Sequence, residues 1–300
     1  MINYSFIIPH KNCPELLERC VDSIPERDDV QVIVVDDNSD DDKKPMLKKR
    51  PNLQIVLLDA IQAKGAGRAR NIGLKHAMGK WLIFADSDDF FSDALSDLLD
   101  NYMNSTSDII YFKAAGLDSD TLEPVSRGNK YNRLLDIFKS KHNDLSEDML
   151  KYCHVIPWCK IIRRSLVTDY NIEFEEVRYS NDVMFVTYAA HYSNKIEVSD
   201  IVAYCVTERP GSLITHKNPE SSRCRFDVST RRMKFLWDNH KWRMSPPKLQ
   251  TLFSVLKKYG WEELKTHVKI MKKNCVGWDK VIIGEFIADY YRIKRHYASN

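Results

Sequence analysis

The sequence has no apolar run that approaches the roughly 18 to 20 residues needed to cross a bilayer. Its apolar start, Ile2 to Ile8, is interrupted by Asn3 and has no basic segment before it, unlike a secretory signal. The seven cysteines are an odd number without a Cys-x-x-Cys pair, so neither a disulfide framework nor a thiolate zinc site is indicated. Internal repeats and low-complexity segments are also lacking. We therefore expect a cytoplasmic protein that neither spans a membrane nor is secreted.

The composition is that of a globular chain. With 43% apolar and 29% charged residues among 300, it can bury a sizeable core in one large or two modest domains, which excludes disordered and collagen-like proteins. Residues 241–300 contain 10 Lys and 3 Arg against 3 Glu and 2 Asp, a formal charge of +8. Because the whole chain carries +3, the first 240 residues carry −5. Such a basic end suits nucleic acid, an anionic lipid surface or an ordinary solvated helix face.

The first 115 residues alternate between short β-branched apolar runs and amphipathic stretches. The apolar runs predict strands at residues 2–9, 30–36, 53–59, 80–85 and 108–112. The amphipathic stretches predict helices near residues 14–24, 41–50, 66–77 and 92–104. Because continuously apolar strands are typical of sheets covered by helices on both faces, we expect a βαβ series with a mostly parallel sheet. Ligands of such sheets bind at the carboxyl ends of the strands.

The rest of the chain divides into two further parts. Residues 116–222 mix α and β: helices are predicted near 131–142, 145–152 and 181–192, and one or two strands within 195–207. Residues 223–300 follow a helical pattern that is interrupted at Pro246-Pro247. The sequence therefore predicts an α/β fold in three parts, 1–115, 116–222 and 223–300, of which the last is a helical extension.

An acidic cluster, Asp36 to Asp42, comes directly after the predicted strand at 30–36. Such a segment can be a solvated turn that caps the next helix, because Asp, Asn and Ser are turn and cap residues. At the tip of a buried parallel strand, however, carboxylates face the ligand crevice. There they can accept hydrogen bonds from a base N–H or from ribose hydroxyls.

A second cluster, Asp86-Ser87-Asp88-Asp89, follows the predicted strand at 80–85. Alternation along an extended chain places Asp86 and Asp88 on one side, where their oxygens can bind a hard divalent cation and a nucleotide together. Mg²⁺ or Mn²⁺ is typically held by one or two carboxylates plus substrate phosphates, which suits a site with so few protein ligands. Asp89 is equally suited to cap the next helix.

A glycine-rich segment, Lys64 to Gly73, lies between the two acidic clusters. It is not a dinucleotide fingerprint, because Arg70 stands where the third glycine would be and the segment follows the third strand rather than the first. Gly65 and Gly67 favour a flexible entry to a helix whose first turns carry arginines. Such a helix start attracts a nucleotide or pyrophosphate, although an ordinary solvated helix face has the same composition.

Taken together and in this order, the segments resemble glycosyltransferase family 2, nucleotide-sugar-dependent enzymes with a GT-A fold that are often inverting. The matching stretches are Ser5-Phe6-Ile7-Ile8-Pro9-His10-Lys11-Asn12, Val32-Ile33-Val34-Val35-Asp36-Asp37-Asn38-Ser39, Gly67-Arg68-Ala69-Arg70-Asn71-Ile72-Gly73-Leu74 and Phe84-Ala85-Asp86-Ser87-Asp88-Asp89. The resemblance extends more loosely to Trp158-Cys159-Lys160 and Asn181-Asp182-Val183-Met184-Phe185, so it spans about residues 1–215.

The resemblance implies a role for each matching residue. Pro9 and Asp37 would border the nucleobase, with Asp37 accepting a hydrogen bond from the uracil N–H. Arg70 would lie near the base and the phosphates, and Asp86 would contact the ribose. Asp88 would bind the Mn²⁺ or Mg²⁺ ion that bridges the diphosphate.

The pair Asn181-Asp182 resembles the acidic pair, usually Glu-Asp, that supplies the family's catalytic base. An acceptor hydroxyl that attacks C1 in line needs one base to take its proton. Asp182 is the candidate base, and its alternative role is to cap the helix that follows. His216 is a candidate metal ligand, because some relatives have a histidine there and imidazole suits Mn²⁺. Members commonly have an aromatic residue where this chain has Lys11, and Trp158 is either a packing residue or a platform for the acceptor sugar.

The resemblance thus implies a metal-dependent glycosyltransferase of the hexosyltransferase type. It would move a sugar from a nucleoside diphosphate donor, expected to be a UDP-sugar, to a glycan or lipid-linked acceptor in surface polysaccharide, capsule or lipopolysaccharide synthesis, with inversion. Residues 1–115 would bind the nucleotide-sugar and 116–222 the acceptor. The basic end would either dock on an anionic membrane surface at the inner face of the cell membrane or pack its apolar residues on the catalytic body and leave the lysines as a solvated helix face. Nucleic acid is not expected as a partner, since no recognised module is present.

Three other classes share parts of this pattern. A phosphatase of the haloacid dehalogenase type needs Thr or Val two residues past the second Asp and a nucleophile after the first strand, and Phe90 and Pro9-His10 supply neither. A sugar nucleotidyltransferase has its glycine-rich, Arg-containing loop after the first strand, where this chain has His10-Lys11-Asn12-Cys13. An inactive sugar-nucleotide-binding or scaffold protein would keep the fold but should have lost acidic residues, whereas all the candidate carboxylates are present here.

Overall fold

The structure is a computed structural model that describes residues 1–209 and 218–297, with side chains through residue 287. The chain forms two compact units, Met1–Ser212 and Leu213–Asn300.

The described residues of the first unit, 1–209, form one eight-stranded sheet. Its strands are β1 (Tyr4–His10), β2 (Val30–Asp36), β3 (Leu53–Leu57), β4 (Trp81–Phe84), β5 (Phe90–Phe91), β6 (Ile109–Asp118), β7 (Lys160–Arg163) and β8 (Ile196–Glu208). They lie in the order β3-β2-β1-β4-β7-β6-β8-β5. The helices of this unit are α1 (Pro14–Asp22), α2 (Ala66–His76), α3 (Leu95–Tyr102), α4 (Asn129–Lys141), α5 (Asp144–Cys153), α6 (Arg164–Asp169) and α7 (Val183–Tyr192).

Strands β1 to β4 are mutually parallel, with β1 at the centre between β2 and β4. Every residue of β1, β2 and β4 is buried, as expected for continuously apolar strands. Alternate side chains of β1 enter separate cores on the two faces of the sheet: Phe6 and Ile8 enter one, and Ile7 enters the other. The carboxyl ends of these parallel strands therefore meet at one edge.

The other half of the sheet is mixed. Strand β7 lies antiparallel between β4 and β6, β8 pairs in parallel with β6, and β5 pairs antiparallel with β8. The predicted strand at residues 108–112 is present as part of β6, but it joins the parallel strands through β7 and is not their direct neighbour. The apolar run from residue 195 forms one strand of 13 residues, β8.

The predicted helix at residues 41–50 is wrong. Only Asp41–Lys43 forms a short 3-10 turn, and Lys44 is already extended, with φ −64° and ψ 154°. Pro45 explains the end of the turn, because its ring restricts the preceding residue to extended conformations and it has no N–H to continue a helix.

The second unit is helical in its described part, as predicted. It contains α8 (Pro219–Asp238), a short 3-10 turn (Trp242–Met244), α9 (Leu249–Lys273) and α10 (Trp278–Tyr297). Helix α9 is interrupted at Gly260, whose φ of 81° is not helical. The core of this unit comprises Phe226, Met233, Leu252, Met271, Val276 and Val281. Within the described residues, no helix has both the length and the apolar character that a membrane span requires.

Candidate active site

Side chains join the carboxyl ends of β1 and β2. Pro9 and His10 lie opposite Val35 and Asp36 in the parallel register. The Nδ1 atom of buried His10 lies 2.7 Å from Oδ1 of Asp36, and its Nε2 accepts the backbone N–H of Cys13 at 3.2 Å. Because that N–H can only donate, the ring proton lies on Nδ1 and is donated to Asp36. The loop after β1 is thereby fixed against the end of β2.

Asp37 follows β2, and its buried side chain lies against Gly65, the residue that precedes α2. Its two carboxylate oxygens lie 3.1 and 3.0 Å from the backbone nitrogen of Gly65, which donates to them. Burial raises the pKa of Asp37, whereas the Gly65 hydrogen bond and the charge of Lys11 lower it. Because each carboxylate oxygen has two lone pairs, Asp37 can still accept a hydrogen bond from a ligand.

Two glycines at the start of α2 are required, one because of its backbone conformation and the other because a neighbouring carbonyl group lies too close for a side chain. Gly65 has a φ of 89°, a left-handed conformation that strains other residues. A Cβ on Gly67 would lie 2.1 Å from the carbonyl oxygen of Glu175. The first turn of α2 therefore packs against the segment that leads into α7, which carries Asn181 and Asp182.

Arg70 lies on the buried side of α2 and connects two other elements. Its Nη2 donates to Oδ1 of Asp86 at 2.5 Å, and its Nη1 donates to Oδ1 of Asn181 at 2.9 Å. The guanidinium also lies 5.3 Å from the centre of the Phe174 ring. A buried cation thus joins the segment after β4 to the start of α7.

The three aspartates after β4 form a compact acidic cluster, in which one oxygen from each lies within 4.8 Å of the others. Asp89 is buried and accepts hydrogen bonds from the Tyr204 hydroxyl and the Thr207 backbone N–H, both at 2.7 Å. Burial, and then the charges of Asp88 and Asp86, raise the pKa of Asp89 well above its usual range. Asp89 therefore anchors β8 to this segment and leaves Asp86 and Asp88 for a ligand.

The side chains of Asp86 and Asp88 are 31% and 25% exposed. Burial and the negative charge of Asp86 raise the pKa of Asp88, and the charge of Arg209 lowers it. The Nε of Arg209 lies 3.3 Å from Oδ2 of Asp88. Two adjacent, partly exposed carboxylates are a suitable donor set for Mg²⁺ or Mn²⁺, with the remaining positions open to phosphate oxygens.

Asp182 is the residue that precedes α7, and its side chain makes no capping hydrogen bond to the helix. Burial raises the pKa of Asp182, Arg70 opposes this with its positive charge, and the charge of Asp86 raises the pKa further. Burial, and then the charge of Asp182, raise the pKa of Tyr131 to about 12. The structure therefore places Asp182 beside the acidic cluster and Arg70, at the same edge of the sheet as Asp37.

His216 and Trp158 were also singled out from the sequence, as a candidate metal ligand and as a packing residue or sugar platform. His216 lies outside the described residues. Trp158 is 5% exposed and stacks on Tyr204 with ring centres 5.4 Å apart. Trp158 therefore packs in the core beneath the residue that holds Asp89, which favours the packing role over a sugar platform.

Lys160 is a buried residue that the sequence reasoning did not assign. Its Nζ lies 2.6 Å from Nδ1 of His154 and also donates to the carbonyl oxygens of His154 and Ile156. Burial lowers the pKa of Lys160 to about 7, against the charges of Cys159 and Asp182. Lys160 could have been singled out from the sequence, because it stands in the stretch Trp158-Cys159-Lys160 that resembles the family. Nothing in the sequence indicates, however, that this lysine is buried.

A sequence profile described as glycosyl transferase family 2 matches residues 5–170, which is more than half of the chain.

The relatives include two proteins named as transferases of poly(ribitol-phosphate). The poly(ribitol-phosphate) beta-N-acetylglucosaminyltransferase TarS of Staphylococcus aureus is 28% identical over 221 residues, which cover 70% of this chain and 36% of TarS. The poly(ribitol-phosphate) beta-glucosyltransferase of Bacillus spizizenii is 28% identical over 217 residues, covering 69% of this chain and 32% of that protein. The chain therefore spans about a third of the length of these relatives.

A solved structure is similar over most of the chain. The crystal structure of residues 1–349 of S. aureus TarS in complex with UDP-GlcNAc matches with a TM-score of 0.67 and 24% sequence identity. The match covers 91% of this chain and 80% of that one. At this identity the similarity is one of fold.

Proposed function

The chain belongs to glycosyl transferase family 2, and from that membership we propose that it transfers a sugar from a UDP-sugar to a glycan acceptor by a metal-dependent, inverting reaction. The observation that carries the proposal is the meeting of Asp37, Arg70, Asp86, Asp88 and Asp182 at one edge of the sheet. Arg70 connects two segments of that edge, because it donates hydrogen bonds to Asp86 at 2.5 Å and to Asn181, the neighbour of Asp182, at 2.9 Å.

UDP is proposed as the nucleotide for two reasons. The similar TarS structure is described as a complex with UDP-GlcNAc. In this chain, buried Asp37 presents a carboxylate next to Gly65 that can accept the N–H of uracil, with Pro9 at the neighbouring strand end. Arg70 supplies the positive charge that the base and phosphate side of the donor requires, and Asp86 is the proposed partner of the ribose.

Asp88 is proposed as the main protein ligand of Mn²⁺ or Mg²⁺, with Asp86 beside it and His216 as a further candidate. When bound, the ion would stabilise the negative charge of the departing diphosphate as a Lewis acid. The positive charge of Arg209 lies next to Asp88 and adds to the same electrostatic environment.

Asp182 is proposed as the base. It would accept the proton of the acceptor hydroxyl while that oxygen forms a bond to C1 of the sugar, and the bond between C1 and the diphosphate oxygen breaks on the opposite side. This single displacement inverts C1 and releases UDP. Asn181 directly precedes this base, and the hydrogen bond that its amide oxygen accepts from Arg70 holds the backbone beside Asp182 in place.

The function is tested with a panel of nucleotide sugars. The full chain is expected to release nucleotide from one or a few UDP-sugars in the presence of Mn²⁺, and the release should stop when a chelator removes the metal. The controls are GDP-sugars and CDP-sugars, which differ from the UDP-sugars in the nucleobase. If no donor releases nucleotide while UDP still binds, the chain is an inactive sugar-nucleotide-binding protein and the proposed activity is wrong.

The acceptor is proposed to be a glycan or polyol chain that carries phosphate, assembled for the cell surface and free or linked to lipid. Two relatives are named for transfer to poly(ribitol-phosphate). A lipid-linked acceptor would require the enzyme to reach the inner face of the cell membrane, and the helical second unit has the surface for such an approach.

The half of α9 that follows Gly260 presents a basic face. Trp261, Lys265, Lys269 and Lys272 recur at helical spacing and are all exposed. The buried residues of this half are Glu263, His267 and Met271. In the part of α10 whose side chains are described, residues 278–287, the large exposed apolar residues are Trp278, Ile282, Ile283 and Phe286. Basic and aromatic residues on helix faces suit binding to an anionic bilayer surface, to which each lysine contributes about 1 kcal/mol.

Membrane docking predicts salt-sensitive binding to lipid. In sedimentation assays the chain should bind anionic vesicles at low salt, dissociate at high salt and ignore neutral vesicles. The variant Lys265→Glu, Lys269→Glu, Lys272→Glu should lose this binding because it reverses the charge of the basic face. A control with the same charge change in the first unit is Lys48→Glu, Lys49→Glu, Lys75→Glu, all exposed positions. Failure of the parent to bind anionic vesicles, or equal loss in both variants, would contradict docking through α9.

A further inference from the structure

The loops that follow β1 and β2 are held together by reciprocal hydrogen bonds. The backbone N–H of Asn12 donates to Oγ of Ser39 at 2.9 Å. The side-chain amide of Asn12 donates to Asp40 at 3.1 Å and accepts the Asp40 backbone N–H at 2.9 Å. The main chain of Lys11, which precedes Asn12, is therefore fixed relative to Asp37, which precedes Asn38 and Ser39.

The ammonium group of Lys11 lies against the main chain of the second loop. Its Nζ donates to the carbonyl oxygen of Asp37 at 2.7 Å and to that of Asn38 at 3.2 Å. Its distance to Oδ2 of Asp37 is 3.9 Å, too long for a direct hydrogen bond. An ammonium carries three protons, so one donor of Lys11 remains after the two carbonyl oxygens are satisfied. The side chain is 52% exposed, which leaves this donor accessible to a ligand.

Lys11 and Asp37 thus place a donor and an acceptor side by side. The side chain of Asp37 is 9% exposed, and its position is set by the hydrogen bond from Gly65. The imide edge of uracil has the complementary pattern, because an N–H donor stands between two carbonyl acceptors. Cytosine lacks this pattern, since its ring nitrogen at that position carries a lone pair instead of a proton.

We propose that Lys11 reads the nucleobase: its third ammonium proton is donated to a carbonyl oxygen of uracil that adjoins the N–H accepted by Asp37. This inference rests on the proposed function, which places the base at Asp37. It makes Lys11 a specificity-determining residue of the donor site that acts through a hydrogen bond to the edge of the base. The other two ammonium protons are donated to the carbonyl oxygens of Asp37 and Asn38 and fix the loop, while the third is donated to the base.

The test compares UDP with 2-thio-UDP and 4-thio-UDP, in which sulfur, a much weaker acceptor, replaces one base carbonyl oxygen. Calorimetry at constant Mn²⁺ should show that the parent binds one of the thio analogues about tenfold more weakly than UDP, as for loss of a charged hydrogen bond. Lys11→Met should bind UDP about tenfold more weakly and should no longer distinguish the three nucleotides. Lys11→Arg, which keeps a charged donor, should retain most of the discrimination.

A matched control removes a lysine charge from the same edge. Lys64 is exposed, adjoins Gly65 and pairs with Glu176 at 3.4 Å. Lys64→Met should therefore leave the ratio of UDP to thio-UDP affinity at the parent value. If Lys11 only fixes the loops, Lys11→Met will weaken all three nucleotides equally and the ratio will persist, which overturns the inference. Absence of UDP binding by the parent is a different result, because it removes the proposed function together with this inference.

Discussion

Replacing Asp182 by Asn is expected to lower turnover by a factor on the order of 10² or more while leaving the affinity for UDP unchanged. Asn has the shape of Asp but cannot take the proton of an acceptor hydroxyl. Arg70 contacts Asp86 and Asn181 through its two terminal nitrogens, so the donor side of the site keeps these contacts in this variant. The measurement is steady-state turnover together with calorimetry of UDP binding on the same preparation.

The pH dependence of the parent supplies an independent check on Asp182. The base acts only when ionised, so activity is lost as pH falls through its pKa. Burial raises this pKa in spite of the opposing charge of Arg70. The acid limb of kcat/KM should therefore lie above the range of an exposed aspartate, and it should be absent from the residual activity of Asp182→Asn.

A control for Asp182→Asn is Asp144→Asn, which changes an exposed aspartate in the first turn of another helix, α5. This variant should keep the parent turnover. Turnover near the parent value in Asp182→Asn would show that Asp182 is only part of the start of α7. The missing capping hydrogen bond already argues against a role limited to the helix.

The parallel strands were predictable because burial on both faces leaves a continuous apolar run, such as Val32 to Val35 in β2. The match to TarS confirms the expected GT-A fold. The carboxylates at the strand ends were predictable for a related reason, since a polar group directly after a buried strand stands at the ligand edge. Asp37, Asp86 and Asp88 were located in this way from sequence position alone.

Contacts between distant parts of the chain were not predictable. Asp89 could be a helix cap or a ligand by sequence, and its role as an anchor of β8 depends on Tyr204 and Thr207, more than 110 residues away. The four residues of β7 are equally ambiguous, because their antiparallel place between β4 and β6 is set by tertiary pairing. The same holds for Lys160, whose ammonium group lies 5.2 Å from the centre of the Tyr111 ring in the neighbouring strand β6.

Asp88→Ala is expected to abolish the effect of Mn²⁺ on UDP binding and to lower turnover by a factor on the order of 10² to 10³, because stabilisation of the leaving diphosphate is worth several kcal/mol. In the parent, Mn²⁺ should strengthen UDP binding. The control is Asp93→Ala, which removes an exposed carboxylate five residues further along and should keep the parent response to Mn²⁺.

UDP binding measured without a divalent cation distinguishes a role of Asp88 as metal ligand from a general role in UDP binding. Without a divalent cation, the carboxylates of Asp86 and Asp88 repel the diphosphate of UDP, and Asp88 also engages Arg209 at 3.3 Å. Asp88→Ala removes one of the two repelling carboxylates and releases Arg209 to attract the phosphates. The variant should therefore bind UDP at least as well as the parent when metal is absent, and more weakly than the parent when Mn²⁺ is present. A variant whose UDP affinity still rises with Mn²⁺ would show that other ligands hold the cation, and Asp88 would lose the assignment.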